Sequence, residues 1–222
     1  GLVAGMGMPA VALIDTNAMF GALEFSIAAA KAGVQPIMGT QLDLAHAETG
    51  PGEKPVPPAP VVLLAQDEAG YGNLLLLNSR LYLRGDGQAA HVTVEELETH
   101  AGGLICLTGG PDGPLGRLVR AGRDAEGLVR RLAAAFPGRL YVELQRHPGE
   151  DGRPEAETAT ERAFVEMAYG MDLPLVATND VYFPEGEMYE AHDALICIAE
   201  GAYVDQNAPR RRLTREHSLK SP

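Results

Sequence analysis

The stretch MPAVALIDTNAMFGALEFSIAAAKAG, Met8–Gly33, decides how the fold is read. Ala10–Ile14 is an apolar run too brief for a helix and long enough for a buried strand. The polar turn Asp15-Thr16-Asn17 follows, and Phe20–Ala32 then has helical spacing. A second apolar run starts at Val34 and extends to Leu44, which completes a β-α-β pattern. The pattern recurs outward from there. Strands are expected at Val61–Ala65, Leu104–Thr108, Leu140–Leu144 and Leu173–Thr178. Helices are expected over Gly72–Leu83, Val94–His100, Leu115–Phe136, Glu155–Met171 and Met188–Ile198. Such alternation predicts parallel β-α units in one α/β domain covering residues 1–222.

Two ends and one insert interrupt the rhythm. Thr49–Pro60, TGPGEKPVPPAP, carries five prolines and reads as a solvent loop or insertion within the domain, because it can continue neither a helix nor a central strand. Gly1–Met8 reads as the back half of an amphipathic helix, so the chain is expected to be a piece of something longer. Asn207–Pro222 is a polar tail with the run Arg210-Arg211-Arg212. Thr93 followed by Glu96 is the pattern of a capping box at the start of a helix.

Composition narrows the class. With 222 residues, 45% hydrophobic and 22% charged, the chain is long enough to bury a continuous core without metal or disulfide staples. Its 26 glycines and 16 prolines stay below the share that marks low-complexity chains. The formal charge of −12 repels polyanions, so strong direct DNA binding is not expected. Cys106 and Cys197 both lie in apolar runs, which fits core thiols in a reducing cytoplasm. No apolar stretch approaches the roughly 18 residues of a membrane helix.

In a parallel α/β fold the carboxyl ends of the strands form the ligand face, so chemistry is sought at the turns Asp15–Asn17, Gly109-Gly110 and Asn179-Asp180. Asp15 suits either a metal ligand or a helix cap, with Thr16 and Asn17 as alternative caps. His147 closes the strand from Leu140, and Asp180 closes the next strand in sequence. Asp15, His147 and Asp180 would converge on one rim of a barrel, enough for one divalent ion and too few for a cluster. His46, His91, His100 and His217 are weaker candidates, and His192-Asp193 suits a structural hydrogen bond. The chain has no P-loop, no Gly-x-Ser-x-Gly elbow, no Cys-x-x-Cys pair and no dinucleotide fingerprint.

At these same turns the sequence resembles a known family. Met8–Phe25 followed by Ala32–Gly39, Leu63–Leu74 (LLAQDEAGYGNL), Tyr141–His147 (YVELQRH), Leu173–Val181 (LPLVATNDV) and Glu190–Ile198 (EAHDALICI) keep the order found in the PHP (polymerase and histidinol phosphatase) domain. The version resembled is the one at the amino end of the alpha subunit of bacterial replicative DNA polymerase III. The resemblance implies a distorted TIM-like (β/α) barrel, lacking its first strand in this sequence. In active members the strand ends hold divalent metals such as zinc or manganese for phosphoesterase or 3′ to 5′ exonuclease chemistry.

Position by position, the chain departs from that ligand pattern. The family's opening His-x-His strand lies upstream of Gly1. Thr16 stands where a His is expected, Gln41 where a Glu is, Gly110 at the Cys-bearing turn, and Tyr182 where the last motif has His. Asp15, His147 and Asp180 keep the family's residue. Neutral oxygens, an absent side chain and a phenol are poor substitutes for imidazoles and carboxylates around dications. The resemblance therefore implies a catalytically silent scaffold with no resident cofactor. Its partners would be the rest of the polymerase chain and the proofreading exonuclease subunit. The alternatives are an active metal-dependent 3′ to 5′ exonuclease or phosphoesterase and a stand-alone sugar-phosphate enzyme.

Overall fold

The computed structural model describes residues 1–47, 56–83, 89–148, 152–206, 210, 211 and 213–221. Most of Thr49–Pro60, together with Arg212, lies outside the described residues. A short helix α1 (Leu2–Gly5) precedes β1 (Ala10–Leu13), α2 (Ala22–Lys31), β2 (Gln35–Ala45) and β3 (Ala59–Ala65). Then come α3 (Glu68–Leu83), β4 (Val92–Thr93), α4 (Val94–Thr99) and β5 (Leu104–Leu107). The chain continues through α5 (Pro114–Arg120), α6 (Glu126–Ala135), β6 (Leu140–Gln145), α7 (Glu155–Gly170), β7 (Leu175–Thr178) and α8 (Tyr189–Glu200).

Six strands form one path in the order β1-β2-β3-β5-β6-β7, with β4 paired to the end of β2. This is the curled sheet of a distorted α/β barrel, the class expected. The expectation of parallel units throughout is corrected at β3, which runs antiparallel to both neighbours, from Gly39↔Leu64 to Leu44↔Ala59 and from Val62↔Leu107 to Ala65↔Leu104. Among the described residues no helix lies between β2 and β3, and the chain comes back alongside β2 in the opposite sense, a pairing that needs no crossover. The proline-rich segment also ends earlier than its composition suggests. Ala59 and Pro60 already pair with β2, and Pro60 is tolerated there because β5 pairs with β3 only from Val62 onward.

Leu115–Phe136 divides into two helices. Gly122, at φ +64°, follows α5 in a left-handed conformation, and the Arg123 amide donates to the Leu118 carbonyl, which ends the helix. Asp124 Oδ1 then accepts the Glu126 amide at 2.8 Å and starts α6. The capping box is present as expected. Thr93 Oγ1 accepts the Glu96 amide at 3.2 Å, and Glu96 Oε2 accepts the Thr93 amide at 2.9 Å. Asp15 does not cap α2, whose N-cap is Gly21 with no side-chain bond, because the helix begins too far down the chain.

The core lies on β2, β3, β5 and β6, where Leu42, Leu63, Cys106 and Val142 meet Leu77 of α3, Leu132 of α6 and Phe164 of α7. The outer elements are less covered. Phe20, just before α2, is 83% exposed and Ile198 of α8 is 77% exposed. Among the described residues, no helix is long and apolar enough to cross a membrane.

Candidate functional site at the strand-end rim

Because β1, β5, β6 and β7 run in one direction, the turns after them lie on one rim. Longer than its neighbours, β2 passes rim level and brings Gln41 opposite Thr16. The two replaced positions there satisfy each other: Thr16 Oγ1 donates to Gln41 Oε1 at 3.3 Å. Asp15 is exposed beside them, its carbonyl accepting Thr40 Oγ1 at 2.9 Å and the Gln41 amide at 3.1 Å. Gly110 has its empty space filled from β6, since a Cβ on it would lie 2.6 Å from Gln145 Oε1.

Around β6 and β7 the rim is a buried polar network. Glu143, 3% exposed, accepts the Gly109 amide at 2.9 Å, Thr178 Oγ1 at 2.5 Å and Gln145 Nε2 at 3.2 Å. It thereby ties the turn after β5 to β6 and β7. Burial raises its carboxyl above the usual range, against those three donors. His147 is buried at this rim, 2% exposed. Its backbone amide donates to both Glu157 oxygens, at 3.1 and 3.0 Å, and its Nδ1 lies 2.7 Å from Glu157 Oε1. Nδ1–H is therefore the donor, which leaves the Nε2 lone pair buried and without a partner among the described residues. Arg153 backs the pair at 3.7 Å from Glu157 Oε2.

Asp180 reaches the same network. Burial raises its carboxyl, while the Tyr182 hydroxyl, His147 and Arg211 lower it. The Tyr182 hydroxyl in turn accepts Arg211 Nη2 at 3.2 Å, with the guanidinium 5.6 Å from the ring centroid. The structure thus brings His147 and Asp180 into one electrostatic neighbourhood and places Asp15 with Thr16 and Gln41 instead. Among the described residues, no three His, Cys, Asp or Glu side chains are grouped to hold a metal ion. The donor set does not fit a dication: the Glu143 oxygens already take three donors, Asp180 has a phenol, and among the described residues the His147 Nε2 and the His192 Nδ1 are the buried ring nitrogens left without a hydrogen-bond partner there.

The remaining histidines resolve differently. His46, His91 and His100 each put Nδ1 against a nearby carbonyl, of Leu44, Ala89 and Glu96 respectively. Asp193 is buried and accepts two parallel hydrogen bonds from Arg210, at 2.6 and 2.7 Å, so part of the arginine run serves the body of the domain. His217, in what reads as a plain polar tail, lies flat on His147 with centroids 3.9 Å apart and planes 12° apart. Burial and the neighbouring His147 push it down to about 4.

Sequence reasoning missed Glu143, Glu157 and this role of His217. A lone Glu inside the apolar run of β6 is a readable signal. Glu157 and His217 have none, since only tertiary structure brings them to His147.

These shifts set a pH dependence. His217 binds protons more weakly folded than unfolded, so its contribution is present above its ordinary value of 6.5 and is lost as pH falls toward 4. Glu143 and Asp180 act in the opposite sense, costing stability as pH rises from the ordinary carboxylate range through their raised values. Discounted for screening by solvent, the His217 contribution is on the order of 2 kcal/mol. In urea unfolding from pH 4 to 7, His217→Phe is expected to lose that rise. An unchanged slope in the variant would assign the rise to other groups.

The PHP domain model matches residues 2–147. The chain is 45% identical over 222 residues to the DNA polymerase III subunit alpha of Caulobacter vibrioides, covering 99% of this chain and 19% of that one. It is 37% identical over 219 residues to the DNA polymerase III subunit alpha of Rickettsia bellii, covering 97% and 18%. The chain therefore spans about a fifth of the length of these relatives. Among solved structures it is similar to a protein described as a metal-dependent phosphoesterase from Bifidobacterium adolescentis, with TM-score 0.42 and 12% identity, covering 80% of this chain and 79% of that one.

Proposed function

The chain belongs to the PHP domain family, and on that premise we propose that it is the PHP domain of a bacterial replicative DNA polymerase III alpha subunit, acting in the cytoplasm. In this reading the domain is catalytically silent and serves DNA replication as a scaffold and as the docking site for the proofreading exonuclease subunit. One observation carries the silence: every position at which the family resemblance implies a lost ligand is used up inside the protein. Thr16 bonds Gln41, Gln145 fills the space at Gly110, and Tyr182 lies between Asp180 and Arg211. A metal would have to break these contacts and would gain mostly neutral oxygens in return.

Weak direct contact with DNA is part of the same reading. The net charge is −12, and the two described cations of the arginine run are engaged, Arg210 by Asp193 and Arg211 by Tyr182. Asp15, His147 and Asp180 are then vestigial metal-site positions.

A specific observation favours the rival reading, an active metal-dependent exonuclease. A histidine whose Nδ1 is held by a carboxylate while Nε2 stays free is the arrangement a metal-ligating imidazole uses, and His147 with Glu157 has it. Elemental analysis of the purified chain, with an assay of nucleotide release from a DNA 3′ end with and without chelator, separates the two. Less than one tightly held metal per chain and no release are expected. Two or more metals with chelator-sensitive release would establish the rival.

A further inference from the structure

The tail returns to the rim. The Tyr182 amide donates to the His217 carbonyl at 3.0 Å and the Leu219 amide to the Phe183 carbonyl at 3.0 Å, so Phe183 and Ser218 pair as a short parallel bridge. Asn179 Nδ2, just past β7, donates to the carbonyls of Glu216 at 2.9 Å and Ser218 at 2.6 Å. The turn that presents His217 is itself built. Thr214 Oγ1 accepts the Glu216 amide at 3.2 Å, and the Thr214 amide donates to His217 Nδ1 at 3.2 Å. Arg215 fixes its outer side on α8 through Glu190 at 3.1 Å and the Tyr189 ring at 5.2 Å. His217 and Ser218 are buried. A solvated polar tail would leave its backbone groups to water, whereas here carbonyls and amides of the tail pair with the body of the domain.

We propose that Thr214–Ser218 is an intramolecular strap that closes the rim over His147 and ties the ends of β6 and β7 together in place of a bound metal. This rests on the reading of the rim as silent. A metal cluster joins strand ends by drawing imidazoles and carboxylates onto a common charge. In this chain the joining groups are a ring stack onto the residue just beyond β6 and a strand addition onto the segment just beyond β7, neither of which needs charge. The rim is therefore shut from within, and a nucleotide 3′ end reaches His147 only after the strap has left.

Amide hydrogen exchange on the 222-residue chain, with and without added zinc, tests this. The Tyr182 and Leu219 amides are expected to exchange at least about a hundredfold more slowly than unstructured amides. Asn179→Ala is expected to remove at least about tenfold of that protection at both while the Val142 amide, bonded to the Pro174 carbonyl, is unaffected. His217→Ala serves the same purpose if the first variant does not fold. Fast exchange of both amides in the unaltered chain with no zinc bound overturns the strap alone. Zinc held at one or more per chain overturns the silent reading, and with it the claim that the strap stands in for a metal.

Discussion

Gly70→Ala is expected to abolish stable folding. Gly70 lies in the first turn of α3, where its Cα runs against the turn before β5. A Cβ on it would sit 1.9 Å from the Gly103 carbonyl oxygen and 2.5 Å from its carbon. Neither group can move away. Gly103 is held at φ +69°, the Gln66 amide donates to its carbonyl at 2.8 Å, and a Cβ on it would lie 2.2 Å from Asp67 Oδ1, which caps α3 through the Gly70 amide. Overpacking against side chains costs about 1–3 kcal/mol. Against two backbones the helix must be displaced from the sheet, and about 4 kcal/mol or more is expected. Gly72→Ala is the control. A Cβ there meets nothing within 4 Å, and alanine's helix propensity should make the change neutral or stabilising by up to about 1 kcal/mol. Urea unfolding of both variants measures the difference. A Gly70→Ala protein within about 1 kcal/mol of the unaltered chain would mean that α3 and the turn are not in this contact.

The second large effect is expected at Glu157. This buried carboxylate accepts the His147 amide and ring Nδ1–H and lies within ion-pair distance of Arg153. Glu157→Leu leaves two donors and a guanidinium facing an apolar side chain, and losing one partner of a buried polar pair costs about 3–5 kcal/mol. Glu157→Gln, which keeps one oxygen for the His147 amide, is expected to lose less. The informative variant is His147→Leu together with Glu157→Leu, which removes both partners and should recover part of the loss. If the double variant is no more stable than Glu157→Leu alone, the pair is not the unit that matters, and Arg153 or the His217 stack carries the cost.

Legibility in the sequence followed locality. The strands were readable because each is an apolar run bounded by a turn, and the Thr93 box because both of its partners lie within four residues. The direction of β3 was not readable from its own residues. It depends on how the chain passes from β2 to β3, and the proline run there looked like an interruption of a parallel fold. The break at Ala121–Ala125 was readable in principle, since Gly122 followed by Asp124 is a stop and a start, but the apolar spacing continues across it and masked both. At the rim, Asp15, His147 and Asp180 stood out because they end strands. What surrounds them did not: Thr16 with Gln41, His147 with Glu157 and His147 with His217 are pairs far apart in the chain.

The core has a consequence for how the molecule is made. Its buried cluster draws on residues from Leu42 to Ala168, so its last contributor leaves the ribosome well before Thr214 does. Domains pack as their residues emerge, at about 5–20 residues per second. Nearly fifty residues separate Ala168 from His217, which gives the central packing seconds of lead before the imidazole that lies on His147 exists. During that interval a nascent chain would present His147 and the end of β7 uncovered on an otherwise settled body. Any small ion or chaperone surface able to engage that end has its opportunity then, during translation, and meets the finished rim only afterwards.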